Sequence, residues 1–403
     1  MSRQHDNVAG VFRFEFEKHG GPLVHVPFDA TPFEHSPRSS KWRRWVVGWV
    51  GIGVVLGLTV GCADGRYYFQ SVSGHVQVMR AARPIAQWLA DEQTPPELKQ
   101  RLRLSERIRQ FSVTQLHLPD NDSYRRFADL HRSAVIWNVV AAPPFSLTLH
   151  TWCFPVVGCV AYRGYYSQAD AQAEAAALRL QGLETRVYGV PAYSTLGWLN
   201  WAGGDPLLNT FIHYPDGELA RMMIHELAHQ VLYVKDDTSF NESFATAVER
   251  LGGLRWLAQE GSAQARQQYE RFDARRSQFR ALSLATRQRL DAIYKENQLS
   301  ALDKSAVIAM KNEAISDFRA DYQRLKATWN GYSGYDAWVM DANNAAFGAQ
   351  AAYDELVPGF ERLFEQGGRD WTRFYEAVKQ LSHLPKDERT QFLNQLSSEN
   401  SRG

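Results

Sequence analysis

Residues 262–330 contain neither glycine nor proline, although 28 glycines and 16 prolines are spread over the 403-residue chain. So long an absence of helix breakers predicts sustained helix. Phe272, Phe279, Leu290 and Ile293 mark one apolar stripe and Ile308, Ile315, Phe318, Tyr322 and Leu325 another, with the polar ENQLSALDKS between them as the turn. The expected element is a long helical hairpin lying over a core or beside a cleft.

The remainder is mixed. Apolar residues recur at helical intervals from Ser73 to Glu92 and from Glu97 to about Leu116, with Pro95 and Pro96 as the break. From Ala134 to Gly164 the runs VIWNVVAA, FSLTLHTW and VAYRGYY predict short strands punctuated by Pro143, Pro144 and Pro155. Ser167 to Gly182 is an alanine-rich helix that leads into a strand at TRVYGVPAY. With 44% hydrophobic and 22% charged residues the chain is ordinary globular material, long enough for two or three domains or for one enzyme domain with insertions. Its 45 basic residues balance 44 acidic ones, so no global field attracts nucleic acid, and no nucleic-acid partner is expected.

Residues 45–62, WVVGWVGIGVVLGLTVGC, hold no charge and follow Lys41, Arg43 and Arg44. A cationic flank before an apolar run has the layout of a signal segment. Its end, Leu58-Thr59-Val60-Gly61-Cys62, resembles the lipobox at which bacterial lipoproteins are cleaved and acylated, with Thr59 where leucine is usual. The alternative is an uncleaved transmembrane anchor, since the run is close to the minimum span of roughly 18 residues. The glycines at 48, 51, 53, 57 and 61 argue against a buried core helix. Either reading places residues 63–403 across the membrane, in the periplasm of a bacterial envelope. Residues 1–41 read as a disordered extension or a mis-assigned start, and residues 42–62 as the signal or anchor.

The chemistry concentrates in LARMMIHELAHQVLYVKDDTSFNESFATAVERL, residues 219–251. His225 and His229 fall on one helix face a turn apart, as two ligands of a single metal ion require. Glu226, beside the first ligand, is placed to take a proton from a metal-activated water without entering the coordination sphere. A catalytic zinc needs a third protein ligand and one open position. Glu242, at the start of a second helix that can fold back on the first, is the candidate, with Asp236 and Asp237 as runners-up. The competing role for Glu242 is local: Ser239-x-x-Glu242 has the spacing of a capping box.

HELAHQ, the VKDD connection and FNESFA together resemble a bacterial family of predicted zinc aminopeptidases, envelope lipoproteins related to the glutamate-liganded zincins. The likeness runs from GC-x4-YYFQSVSGH (Gly61 to His75) through FPVVGCVAYRGYYS, AYSTLGW and DPLLNTF to NNAAF, nearly all of the chain after Cys62. It implies an α+β zincin-like domain, one Zn²⁺ per chain on His225, His229 and Glu242, Glu226 as general base, and a peptide substrate. Two departures stand out. Thr246 occupies the position where such zincins carry a histidine-orienting Asp, which leaves Glu249 or Asp237 for that role. No GAMEN-like segment is present, so exopeptidase and endopeptidase both stay open, as does a non-catalytic zinc-binding lipoprotein that binds partners.

Around the site, AYSTLGWLN and GGDPLLNTF are candidates for the edge strand and cleft wall, and Tyr193, His213 and Tyr353 for stabilising an oxyanion. Cys153 and Cys159 are either two buried thiols or a disulfide. The bridge requires the chain to turn at Pro155 and Gly158, because residues six apart on one straight strand lie about 20 Å apart.

Overall fold

The structure, a computed structural model, describes residues 62–154, 158–192, 195, 203–300, 303–354 and 356–399, without the side chains of 62–64, 298–300, 351–354 and 399. The extension 1–41, the uncharged run up to Gly61, Tyr193 and the Tyr353 side chain therefore lie outside the described residues. The chain divides into a unit Met1–Cys62 and a compact unit Ala63–Gly403, which carries the whole of the described core.

Helix α1 spans Cys62–Ala81, β1 Arg83–Pro84, α2 Ile85–Ala90 and α3 Pro96–Leu116. The single helix expected over Ser73–Glu92 is thus two, broken at Pro84. Proline has no N–H to continue the ladder and forces the residue before it into extended backbone. Arg83 then pairs with Phe127 of β2 (Arg126–Ala128). Next come β3 (Ile136–Ala142), β4 (Trp152–Phe154), β5 (Gly158–Val160) and β6 (Arg163–Tyr165). The expected strand FSLTLHTW is strand only at Trp152. Its alternation serves a loop draped over a later helix, with Leu147 and Leu149 packed in two different clusters.

Helix α4 (Gln168–Leu180) starts at Ser167, whose hydroxyl accepts from the Asp170 N–H at 3.3 Å, and leads into β7 (Glu184–Val190). Strands β6, β3 and β7 form an antiparallel sheet in that order. Val139 and Ala141 of β3 pack against α4. Val140 and Ala142 face the other way, against Ala345. A strand covered on both faces reads as a continuous apolar run, as IWNVVAA does. β8 (Leu207–Leu208) pairs parallel with β2 and is buried, so GGDPLLNTF supplies core rather than an open cleft edge.

The helices that follow are α5 (Asp216–Ala228), α6 (Thr238–Gln259), α7 (Ala263–Ser300), α8 (Lys304–Thr328), α9 (Asp336–Met340), α10 (Asn344–Asp354), α11 (Val357–Gln366), α12 (Trp371–Ser382) and α13 (Lys386–Glu399). Helices α7 and α8 make the expected hairpin, turning within the ENQLSALDKS segment. Its stripe is shifted by one residue at the start of α8: Val307 is buried and Ile308 is 43% exposed. Lys311 shares the buried face because its ammonium donates to Pro144 O at 2.9 Å and to Glu184. The NNAAF segment pins the hairpin to the sheet. Asn343 Nδ2 donates to Thr185 O at 3.0 Å, and Asn344 Nδ2 donates to Pro143 and Pro144 carbonyls at 3.0 and 2.9 Å. The Asn344 side-chain oxygen accepts from Tyr294 OH at 2.8 Å.

The main core gathers α3, α5, α6, α11 and α12. Gly252 of α6 makes their close approach possible, since a Cβ there would stand 2.6 Å from Leu116 Cδ1 and 3.2 Å from Ile224 Cγ2. The unit is mostly helical with small sheets, an α+β architecture.

Candidate metal centre

Helix α5 is apolar on its core side, with Leu219, Ala220, Met223, Ile224, Leu227 and Ala228 fully buried. It ends at His229, so both histidines sit in its last turns. Gln230 fixes that end. Its side-chain nitrogen donates to Ser123 Oγ at 3.1 Å and to Asp205 Oδ2 at 3.2 Å, and its oxygen accepts from Asn121 Nδ2 at 2.6 Å.

The chain then reverses. Asp236 takes positive φ and Asp237 caps α6, accepting from the Phe240 N–H at 3.3 Å. Asn241 locks the turn by bonding Val234 through both its side-chain atoms, at 2.8 and 2.7 Å. Because Asp237 is the cap, Glu242 is free of the capping-box role and lies a turn inside α6, facing α5.

His225 Nε2 and His229 Nε2 stand 3.1 Å apart, and Glu242 Oε2 lies 3.4 Å from the first and 3.6 Å from the second. Three ligand atoms bonded tetrahedrally to a small divalent cation at about 2.0–2.1 Å would be about 3.3 Å from one another. The triangle fits such a cation. Two imidazole nitrogens facing each other beside a carboxylate, with His229 buried and His225 and Glu242 half-buried, also call for positive charge between them. Asp236 and Asp237 do not join this group: Asp236 accepts from the Cys159 N–H at 2.5 Å, and Asp237 pairs with Arg389 at 2.8 Å.

Behind the first histidine stands Glu249, its Oε2 3.1 Å from His225 Nδ1 though off the in-line hydrogen-bond direction. It lies two turns beyond Glu242 on the same face of α6, one turn beyond Thr246. Its other oxygen pairs with Arg221, one turn before His225 on α5. Arg221 also lies 3.4 Å from Glu218, which accepts from Arg276 of the hairpin at 2.7 Å.

The electrostatics follow from burial and these neighbours. Burial works against the Glu242 charge, yet His229 and His225 hold its carboxyl well below the usual range. Burial likewise opposes charge on His225, and the carboxylates of Glu242 and Glu249 raise its pKa well above the ordinary imidazole value. Glu226 is raised, first by burial and then by Glu242 and Asp205, against the lowering effect of the two histidines. A raised carboxylate is the better proton acceptor.

Of the oxyanion candidates, His213 is exposed and precedes Asp216, at the opposite end of α5 from His225, so it does not reach the site. The phenol the structure brings there is Tyr162, in the loop between β5 and β6. Burial raises its pKa well above the ordinary value, and the charges of Glu242 and Glu226 add to this. It makes no hydrogen bond with any described residue. Tyr188 of β7 and Tyr233 also feel the Glu242 charge. The sequence carried a faint signal for Tyr162, its place in the VAYRGYY run, but nothing in that run distinguishes one tyrosine from the next.

Cys153 and Cys159 form a disulfide, opposite each other in the antiparallel β4–β5 pair. Gly158 packs so closely on Asp236 that a Cβ would fall 2.2 Å from its Oδ1, so the bridged hairpin abuts the turn between α5 and α6.

No curated protein and no solved structure matches the chain. A family model does, along residues 66–393, a span that contains every residue of the centre, and the chain belongs to the family described as "Putative aminopeptidase".

Proposed function

We propose that this chain is a zinc-dependent peptidase of the bacterial envelope, with His225, His229 and Glu242 as the metal ligands and Glu226 as the general base. The observation that carries the reading is the triangle of two Nε2 atoms and one Oε2, with an uncommitted buried glutamate next in sequence to the first ligand. Held by His225, His229 and Glu242, a zinc ion would supply Lewis acidity and make water more acidic at the site. Glu226 takes the proton from the attacking water at its carboxylate and later gives it to the leaving amine. The Tyr162 hydroxyl, kept neutral by burial, donates to the developing oxyanion. Glu249 fixes the His225 ring so that Nε2 faces Glu242.

A zinc-binding lipoprotein without turnover is the second reading. Glu226 separates the two, since a structural site needs no base beside its ligands. The test is a peptide-library digest with the purified protein, wild type against Glu226→Gln. Cleavage by wild type and its loss by several orders of magnitude in a variant with full metal content supports the peptidase. Cleavage surviving within tenfold in Glu226→Gln overturns the mechanism.

Anchoring at the membrane through residues 45–62 belongs to the same proposal. No helix among the described residues is long and apolar enough to cross a membrane. Support comes from the uncharged run itself and from the face that α1 presents just after it, where Tyr68, Phe69, Val72 and Val76 are exposed.

A further inference from the structure

We propose that Arg186 recognises a carboxylate of the bound peptide, making this strand-borne guanidinium a specificity residue; the inference rests on the peptidase reading.

Arg186 sits in β7, two residues before Tyr188 and therefore on the same face of the strand. Its guanidinium carbon lies 5.7 Å from the Tyr188 ring centroid and 5.1 Å from that of Trp338. The two aromatic rings hold it in place but leave its charge unpaired. Its Nε is buried without a hydrogen-bond partner, and among the described residues no carboxylate stands within ion-pair distance. The neighbouring cationic groups are committed differently: Lys311 pairs with Glu184, and Arg179 donates to Thr185 Oγ1 at 2.7 Å. Burial lowers the pKa of Arg186, against the opposing pull of Tyr188 and Asp341. A half-buried cation in that condition is stabilised by an anion brought to it, and a planar fork suits a carboxylate.

The placement connects this group to the candidate centre: Tyr188 packs in one cluster with Tyr162, the phenol beside Glu242 and Glu226. Two residues along a strand cover roughly 6.6 Å, about the reach of two extended peptide residues. A free C-terminal carboxylate always lies on the leaving-group side of the scissile bond. A peptide with only a few residues beyond that bond would thus bring its terminus to Arg186. An acidic side chain offers the same chemistry from a second source.

The test uses zinc-loaded full-length Glu226→Gln, which binds without turnover, and titration calorimetry with three probes. These are a tripeptide with a free C-terminus, its C-terminal amide, and an amide carrying Asp at the third position. The free acid should bind about tenfold or more tightly than the neutral amide, and the preference should vanish in Glu226→Gln/Arg186→Gln at unchanged zinc content. Recovery of affinity in the Asp-bearing amide assigns the side-chain source, and its failure assigns the terminus. Equal binding of acid and amide, no binding of either, or a preference that survives Arg186→Gln overturns the proposal. Arg186→Lys, which keeps the charge without the fork, should retain part of the preference and serves if the glutamine variant does not fold. Wild-type cleavage in the library digest is scored separately, so loss of the carboxylate preference is not confused with absence of peptidase activity.

Discussion

Glu249 Oε2 lies 3.1 Å from His225 Nδ1, on the ring edge remote from the Nε2 that faces Glu242. Two helix turns separate Glu242 from Glu249, so one face of α6 presents both carboxylates to His225. Glu249→Gln keeps the shape and removes the charge. Metal affinity measured by chelator competition should fall about 10–100-fold, with the fold retained. An affinity unchanged within twofold would show that the contact does not orient the ligand.

Tyr162 is expected to act only as negative charge develops on the substrate. Tyr162→Phe should lower kcat by about 10²–10³, the loss typical of one oxyanion donor, with KM little changed. A rise in KM at constant kcat would instead make Tyr162 a binding residue.

The α7–α8 hairpin, the sheet strands β3 and β7 and the facing of His225 and His229 were legible in the sequence, because each rests on local periodicity or spacing. What escaped was set by tertiary partners. Lys311 looks like a surface residue until Glu184 and Pro144 O meet it from the sheet. Glu249 and Asp237 are both candidates in the sequence for orienting a histidine; the structure puts Glu249 beside His225, whereas Asp237 caps α6 and pairs with Arg389. Tyr162 lies in the β5–β6 loop and Arg186 within β7, and the two come to flank Tyr188 only once β3 joins β6 to β7.

Acid should weaken the fold through the same carboxylate. Burial opposes the Glu249 charge, but Arg221 and His225 bring its pKa from the ordinary 4.5 down to about 2. A carboxyl depressed on folding contributes stability that is fully present above its unfolded pKa and is lost as pH falls through the folded one. For the metal-free protein, the urea midpoint should therefore drop between pH 4.5 and about 2, and this drop should be shallower in Glu249→Gln. Parallel pH curves for the two proteins would disconnect that charge from folding.

The disulfide braces the turn that delivers Glu242. Its two cysteines are six positions apart, and Cys159 N–H donates to Asp236 in the α5–α6 connection. Closing so short a loop is worth about 2 kcal/mol on chain-entropy grounds. Cys153→Ser/Cys159→Ser should lower the unfolding free energy by that order and weaken metal binding modestly. Mass spectrometry of the native protein alkylated without reduction should find neither thiol modified; two alkylated thiols would remove the bridge.

Membrane attachment is tested at Cys62. The uncharged run 45–62 ends there, and α1 continues from it with Tyr68, Phe69, Val72 and Val76 exposed, Phe69 at 75% and Val72 at 65%. Lipidation of a lipobox cysteine adds more than one acyl chain and would anchor the protein by itself, with the exposed apolar side chains just beyond it adding to the contact. Expressed in a bacterium with an envelope lipoprotein pathway, the wild-type chain should fractionate with membranes and incorporate labelled palmitate. Cys62→Ala should lose the label, and a chain begun at residue 63 should become soluble. Membrane retention without label in wild type and Cys62→Ala alike would assign residues 45–62 as an uncleaved anchor. Persistent membrane association of the chain begun at residue 63 would move the attachment from the uncharged run to the folded unit itself.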